Sequence, residues 1–262
     1  MGVCGERRVR FLLRWTDNNK PVWVAHACSY SRRAHPPPQQ EAALKLANEV
    51  DPVAKQIGAV NTLIRQADGS WKGYNTDWSA SIGAIERQLK ASGKGTPGDS
   101  PLAGKTFLVI GAGGAGRALA FGAAFRGAKV LITNRSRERA DALAAAMGGA
   151  ATVVDWEAVQ RGEVKADVLA NSTSLGMAPK TEETPVPKAV IANFGLVFDA
   201  VYTPVWTTLL KDAKAAGCEV VDGLQMFVGQ AADQFKLFTG AEAPVELMKQ
   251  TLTDAINASA KK

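Results

Sequence analysis

Histidine is nearly absent: only His26 and His35 occur in 262 residues, both near the start, so imidazole catalysis is excluded from everything downstream. Cysteine is as scarce. Cys4, Cys28 and Cys218 are odd in number and scattered, with neither metal-site spacing nor the pairing of a disulfide framework, which points to a reducing compartment and to no metal. No apolar run reaches the length of a membrane span. Acidic residues are the minority, giving a net charge of +6, but the excess is local. Residues 1–40 hold Arg7, Arg8, Arg10, Arg14, Lys20, Arg32 and Arg33 against Glu6 and Asp17, so five of the six charges sit there. The rest of the chain is close to neutral, which argues against a nucleic-acid-binding face on the folded body. With 46% hydrophobic and 21% charged residues, the composition is that of a soluble globular protein long enough for one large or two small domains.

What is present is organised around TFLVIGAGGAGRA, Thr106 to Ala118. Thr106–Ile110 is apolar without alternation, as expected of a strand buried on both faces of a parallel sheet. Gly111, Gly113 and Gly116 then fit GxGxxG, and the alanine-rich segment from Arg117 to Arg126 reads as a helix closed by Gly127. The three glycines serve a tight turn, a close backbone approach to a pyrophosphate and close packing of helix on strand. A strand before, a helix after and a second strand at Lys129–Thr133 turn a weak motif into a dinucleotide-site signature.

At the end of that second strand an NAD site wants a carboxylate for the ribose hydroxyl. The chain offers Asn134, Arg135, Ser136, Arg137, Glu138 and Arg139 instead. Guanidinium groups stand where a 2′-phosphate would sit, so NADP is expected over NAD, with Arg135 in contact and Arg137 on a solvated helix face.

Elsewhere the reading is uneven. Residues 1–40 give no convincing fold beyond two possible strands, Val9–Trp15 and Pro21–Ala27; an organelle-targeting leader is one reading, against the sparse serine and missing amphipathic helix. From Glu41 order sets in. Expected are a helix from Glu41 to Val50 with Leu44 and Leu46 inward, a short helix from Val53 to Ile57 capped by Asp51, and a hairpin of Gly58–Ile64 with Trp71–Tyr74. A helix from Trp78 to Lys90 and a Gly/Pro linker from Ala91 to Lys105 complete this half. Beyond lie strands at Ala151–Val154, Asp167–Ala170, Leu196–Asp199 and Glu219–Val221, with helices at Arg137–Met147, Thr207–Ala216, Leu224–Phe238 and Val245–Ala258. The fold class is therefore α/β: a Rossmann-type doubly wound parallel sheet with a smaller, incomplete substrate domain. Ligands of such sheets bind outside the carboxyl ends of the strands, which makes the polar strand ends the site inventory.

GAVNT (58–62), YNTDW (74–78), GAGGAGRA (111–118), NRS (134–136), NSTSLGM (171–177), FDAVYTP (198–204) and DGLQMFVGQA (222–231) resemble shikimate dehydrogenases, the dehydrogenase half of the plant bifunctional enzymes in particular. The resemblance implies NADP-dependent interconversion of 3-dehydroshikimate and shikimate in aromatic amino acid biosynthesis. It implies substrate contacts at Asn61, Asp77 and Gln230, with Asp77 catalytic, although Asp77 could instead merely cap a helix and Gln230 face solvent. Cofactor contacts are implied at Gly111, Ala112, Gly113, Gly114, Ala115, Asn134, Arg135, Ser136, Arg139, Thr173, Ser174, Met177, Ala200, Tyr202 and Gly223. The family's catalytic lysine falls on Gln40, and its serine motif is only mimicked by Ser29–Ser31. Residues 1–40 are accordingly read as sequence foreign to the family, with activity impaired; quinate dehydrogenase and a non-catalytic NADP-binding protein are the rivals. The expected division is 1–102 for substrate, 103–238 for NADP, and 239–262 as a helix returning to the substrate side. Plastid and cytoplasm both remain open as locations, as does oligomeric state.

Overall fold

In the computed structural model, strands β1 (Phe11–Trp15) and β2 (Pro21–Ala25) and residues 43–259 are described. β1 and β2 form an antiparallel pair, and β2 lies against β4 (Thr62–Arg65). β4 pairs antiparallel with β5 (Trp71–Tyr74) across the Asp68–Gly69 turn, and β5 pairs parallel with β3 (Glu49–Val50). The expected helix over Glu41–Val50 is thus wrong at its end. Among the described residues helix covers 43–46 and stops there, because Glu49 and Val50 take backbone partners on Lys72 and Gly73, a tertiary pairing that outweighs helix propensity. Leu44 packs on the small core as expected, whereas Leu46 is 66% exposed.

Asp51 caps α1 (Pro52–Ile57), accepting from the Val53 and Ala54 amides, and Gly58 ends it in a left-handed conformation, so the strand begins at Thr62 rather than Gly58. Asn75 caps α2 (Thr76–Ala91) by accepting from the Asp77 and Trp78 amides.

The large sheet has six parallel strands. In chain order they are β6 (Thr106–Ile110), β7 (Lys129–Thr133), β8 (Ala151–Val153), β9 (Ala166–Asn171), β10 (Phe194–Asp199) and β11 (Glu219–Val221). Their spatial order, β8-β7-β6-β9-β10-β11, places the order reversal between β6 and β9, where such sheets open a crevice. Helices α3 (Gly114–Phe125), α4 (Arg137–Ala146), α5 (Trp156–Gln160) and α6 (Thr208–Ala215) connect the strands, along with a 3₁₀ segment, Lys188–Asn193. α5 and the 3₁₀ segment escape the sequence reading because neither is long enough to show a period. Two clusters of buried aliphatic and phenylalanine side chains, one holding Phe107 and Phe198 and the other Leu108 and Ile110, cover opposite faces of the sheet.

Two long contacts join the halves. α2 packs along α7 (Gly223–Thr239) and across α3, where Gly122 lets Ile82 approach so closely that an added Cβ would lie 2.7 Å from its side chain. Among the described elements, α8 (Val245–Ser259) packs chiefly on α7.

Candidate active site

The glycine loop is built as its spacing predicts, with α3 starting three residues earlier than expected. Gly111 has φ +109°, and a Cβ there would sit 2.4 Å from Ser172 Oγ. At Gly116 a Cβ would meet the Gly111 carbonyl oxygen at 2.2 Å, so helix and strand touch backbone to backbone. Gly113 differs. Nothing lies within 4 Å of its would-be Cβ, which leaves the mouth of the loop open beside the amides of Gly114, Ala115 and Gly116 in the first helical turn. A cradle of bare backbone at a helix N-terminus fits a pyrophosphate.

At the end of β7, the Asn134 amide donates to the Ser136 carbonyl (2.9 Å) and pins the loop. Arg137 pairs with Asp141 (3.0 Å) and with Asp155, which holds it on the helix face as expected. Arg135 and Arg139 are exposed and make no ion pair among the described residues, so two guanidinium groups stand ready at this strand end.

Past β9 and β10 the loops are tied by a buried carboxylate whose partners local sequence does not reveal. Asp199, fully buried, accepts from Asn171 Nδ2 (2.9 Å) and the Val201 amide (3.0 Å) on one oxygen and from Thr207 Oγ1 (2.7 Å) on the other. Asn171 Oδ1 in turn accepts from the amide and hydroxyl of Thr173. Burial pushes the Asp199 carboxyl up to about 6, against the lowering effect of the Thr207, Val201 and Asn171 hydrogen bonds. This network ties Thr173 at the start of the loop that also carries Ser174 and Met177, and Val201 in the loop that also carries Ala200 and Tyr202; Tyr202 rests on Phe227, ring centres 5.0 Å apart. Gly223 owes its identity to packing, since a Cβ would lie 2.5 Å from the Val201 carbonyl oxygen. The only sequence signal for Asp199 was its place at a strand end; its partner Asn171 lies 28 residues away on the neighbouring strand.

On the other side, Asn61 and Asp77 come together as the motifs imply. Asn61 is buried just before β4, with its side chain beside the Asp77 carboxyl, which desolvation pushes up to about 6 while Asn61 pulls the other way. Asp77 is not the helix cap; that is Asn75. Gln230 is buried on α7 rather than facing solvent. Gln40 and Ser29–Ser31 lie outside the described residues. No group of three or more metal-ligating side chains occurs among the described residues.

Residues 97–185 match a family model described as shikimate/quinate 5-dehydrogenase, and residues 223–253 one for the shikimate 5′-dehydrogenase C-terminal domain. A shikimate dehydrogenase (NADP(+)) of Methanosarcina acetivorans is 40% identical over 255 residues, covering 95% of this chain and 87% of that protein. The chain belongs to the shikimate dehydrogenase family. The chloroplastic bifunctional 3-dehydroquinate dehydratase/shikimate dehydrogenase of Arabidopsis thaliana is 52% identical over 223 residues; this member spans 82% of its own length there but only 36% of that longer protein. Among solved structures, the Thermus thermophilus shikimate 5-dehydrogenase in complex with NADP(H) and shikimate superposes with TM-score 0.68 at 38% identity, covering 83% of this chain and 76% of that one. Quinate dehydrogenase from Corynebacterium glutamicum in complex with NAD gives 0.72 at 34%, covering 83% and 75%. The archaeal alignment leaves 5% of the 262 residues outside, about 13, so it extends into the first forty. That runs against reading all of residues 1–40 as foreign to this family.

Proposed function

We propose that this chain is an NADP-dependent shikimate dehydrogenase, interconverting 3-dehydroshikimate and shikimate. The observation that carries the reading is the Asn61–Asp77 pair: a half-buried, desolvated carboxyl raised to a pKa of about 6 beside a buried amide, at the start of a helix packed on both the glycine-loop helix and α7. When bound, NADP(H) supplies or receives the hydride. Its pyrophosphate would lie on the open Gly113 cradle and its 2′-phosphate between Arg135 and Arg139, with the tied loops of Thr173 and Tyr202 flanking the reacting end. Residues 103–238 then form the cofactor side, and residues 1–102 with 239–262 the substrate side.

Asp77 does the proton chemistry in this reading. Oxidation of a ring hydroxyl releases a proton, and a carboxylate with a pKa near 6 accepts it at neutral pH; in reduction the same group returns it. The family's lysine falls on Gln40, which cannot titrate, so the burden rests on Asp77. Asn61 and Gln230 would hold the neighbouring ring hydroxyls, since a polyol needs several fixed donors and acceptors.

The test is NADP⁺ reduction by purified protein with saturating shikimate, and in parallel with quinate. Turnover with quinate alone, or with neither, defeats the proposal. Cofactor choice is checked separately: NADPH is expected to bind at least about tenfold tighter than NADH, each charge-assisted hydrogen bond contributing roughly 1.5–3 kcal/mol. Replacing Arg135 and Arg139 by alanine should erase that margin without weakening NADH. Equal affinities in the unsubstituted protein would end the claim.

A further inference from the structure

Asn61 has two chemically different ends, and the structure determines which end faces which neighbour. Its Oδ1 accepts from the backbone amide of Thr76 at 3.0 Å, and an amide N–H can only donate, so the oxygen lies on that side. The same oxygen accepts from Thr62 Oγ1 at 2.9 Å. A hydroxyl has one proton to give. What commits the Thr62 proton to Asn61 is Gln234, whose Nε2 donates to Thr62 Oγ1 at 3.1 Å and so occupies the oxygen as acceptor. All three side chains are buried, Thr62 completely. With its oxygen doubly engaged, Asn61 presents Nδ2 to Thr76 Oγ1 (3.2 Å) and its amide to the Asp77 carboxyl.

We propose that Gln234 and Thr62 are positioning residues for substrate: the relay Gln234–Thr62–Asn61 locks the Asn61 amide with its donor end toward Asp77 and the ring hydroxyls. Gln234 stands one helical turn beyond Gln230 on α7, so one helix face supplies both a substrate contact and the anchor of another. Without the relay, Asn61 keeps on its oxygen the Thr76 amide (3.0 Å) and the longer contact from the Thr76 hydroxyl (3.4 Å), both from one residue, and the flipped amide, which turns an acceptor toward the Asp77 carboxylate, becomes accessible. The inference rests on the reading of Asn61 as a substrate contact.

Thr62→Val removes the hydroxyl at nearly constant volume, and Gln234→Leu removes the donor. Each is expected to raise KM for shikimate about tenfold, with kcat and the NADPH Kd changing less than threefold. Because the residues act in series, the double variant should be no worse than Thr62→Val alone; it also removes the glutamine left without an acceptor. Thr62→Ser should restore KM. Unchanged KM in both single variants, multiplied penalties in the double variant, or NADPH Kd rising in step with KM each overturns the relay. Asn61→Ala run alongside separates the two levels. If it raises KM while the relay variants do not, the relay alone falls; if it leaves KM unchanged, the substrate reading of Asn61 falls and takes the relay with it. A readout free of substrate is the proton exchange of the Asn61 side-chain amide by NMR, expected to accelerate at least tenfold in Thr62→Val; an unchanged rate overturns the relay whatever the kinetics show.

Discussion

Replacing Asp77 with asparagine is expected to lower kcat for shikimate oxidation by about 10²–10⁴, the usual worth of a positioned general acid or base, while the protein becomes no less stable at neutral pH. The opposite directions follow from one fact. The fold raises the Asp77 carboxyl from its ordinary 3.8 to about 6, with desolvation as the larger cause and Asn61 partly offsetting it. Well below pH 4 the carboxyl is protonated in both folded and unfolded chains and has no effect on the balance. As pH rises through 4 to 6 the unfolded chain ionises first, so stability falls across that window and stays lower above it. Asparagine carries no charge to bury and removes this loss. In wild-type protein the oxidation rate needs the carboxylate, so kcat/KM should fall as pH drops below about 6, and Asp77→Asn should have no such limb. Thermal melts at pH 4 and 7 beside pH–rate profiles make the comparison. A variant that loses activity and stability together at pH 7 would show Asp77 to be a structural residue. Gln40→Lys tests the neighbouring idea, since a lysine at the family's position should raise turnover if it reaches the substrate.

The parts of this site that sequence discloses are those written in local spacing. Three glycines within six residues, a strand before them and arginines after the next strand are all short-range patterns, and the sheet built from them has the order that such alternation implies. What stays hidden depends on pairings across the fold. Asp199 reads as one more polar strand end until β9 and β10 are laid side by side, when Asn171 and Asp199 prove to be register partners. Gln234 is silent for the same reason: its acceptor is 172 positions earlier in the chain. Glu49 and Val50 lie in a stretch that reads as helix, yet they form strand because β5 offers them an edge.

Gly113→Ala and Gly116→Ala should both abolish useful NADPH binding, by routes that a melting curve tells apart. At Gly116 the new methyl would meet backbone, the Gly111 carbonyl at 2.2 Å, with Ser172 Oγ at 2.8 Å. The carbonyl cannot give way without α3 lifting from β6, so the variant should lose about 1–3 kcal/mol of stability, as overpacking does, along with the cofactor. At Gly113 the methyl meets nothing within 4 Å and φ is −84°, a conformation open to alanine. The fold should therefore survive with an unchanged melting temperature, while the methyl stands in the space the pyrophosphate needs and NADPH affinity drops at least about a hundredfold, the loss of roughly two charge-assisted backbone hydrogen bonds. If Gly113→Ala binds NADPH normally, the open mouth of this loop is not where the pyrophosphate lies. If Gly116→Ala melts normally, the helix has room on the strand that the geometry denies it.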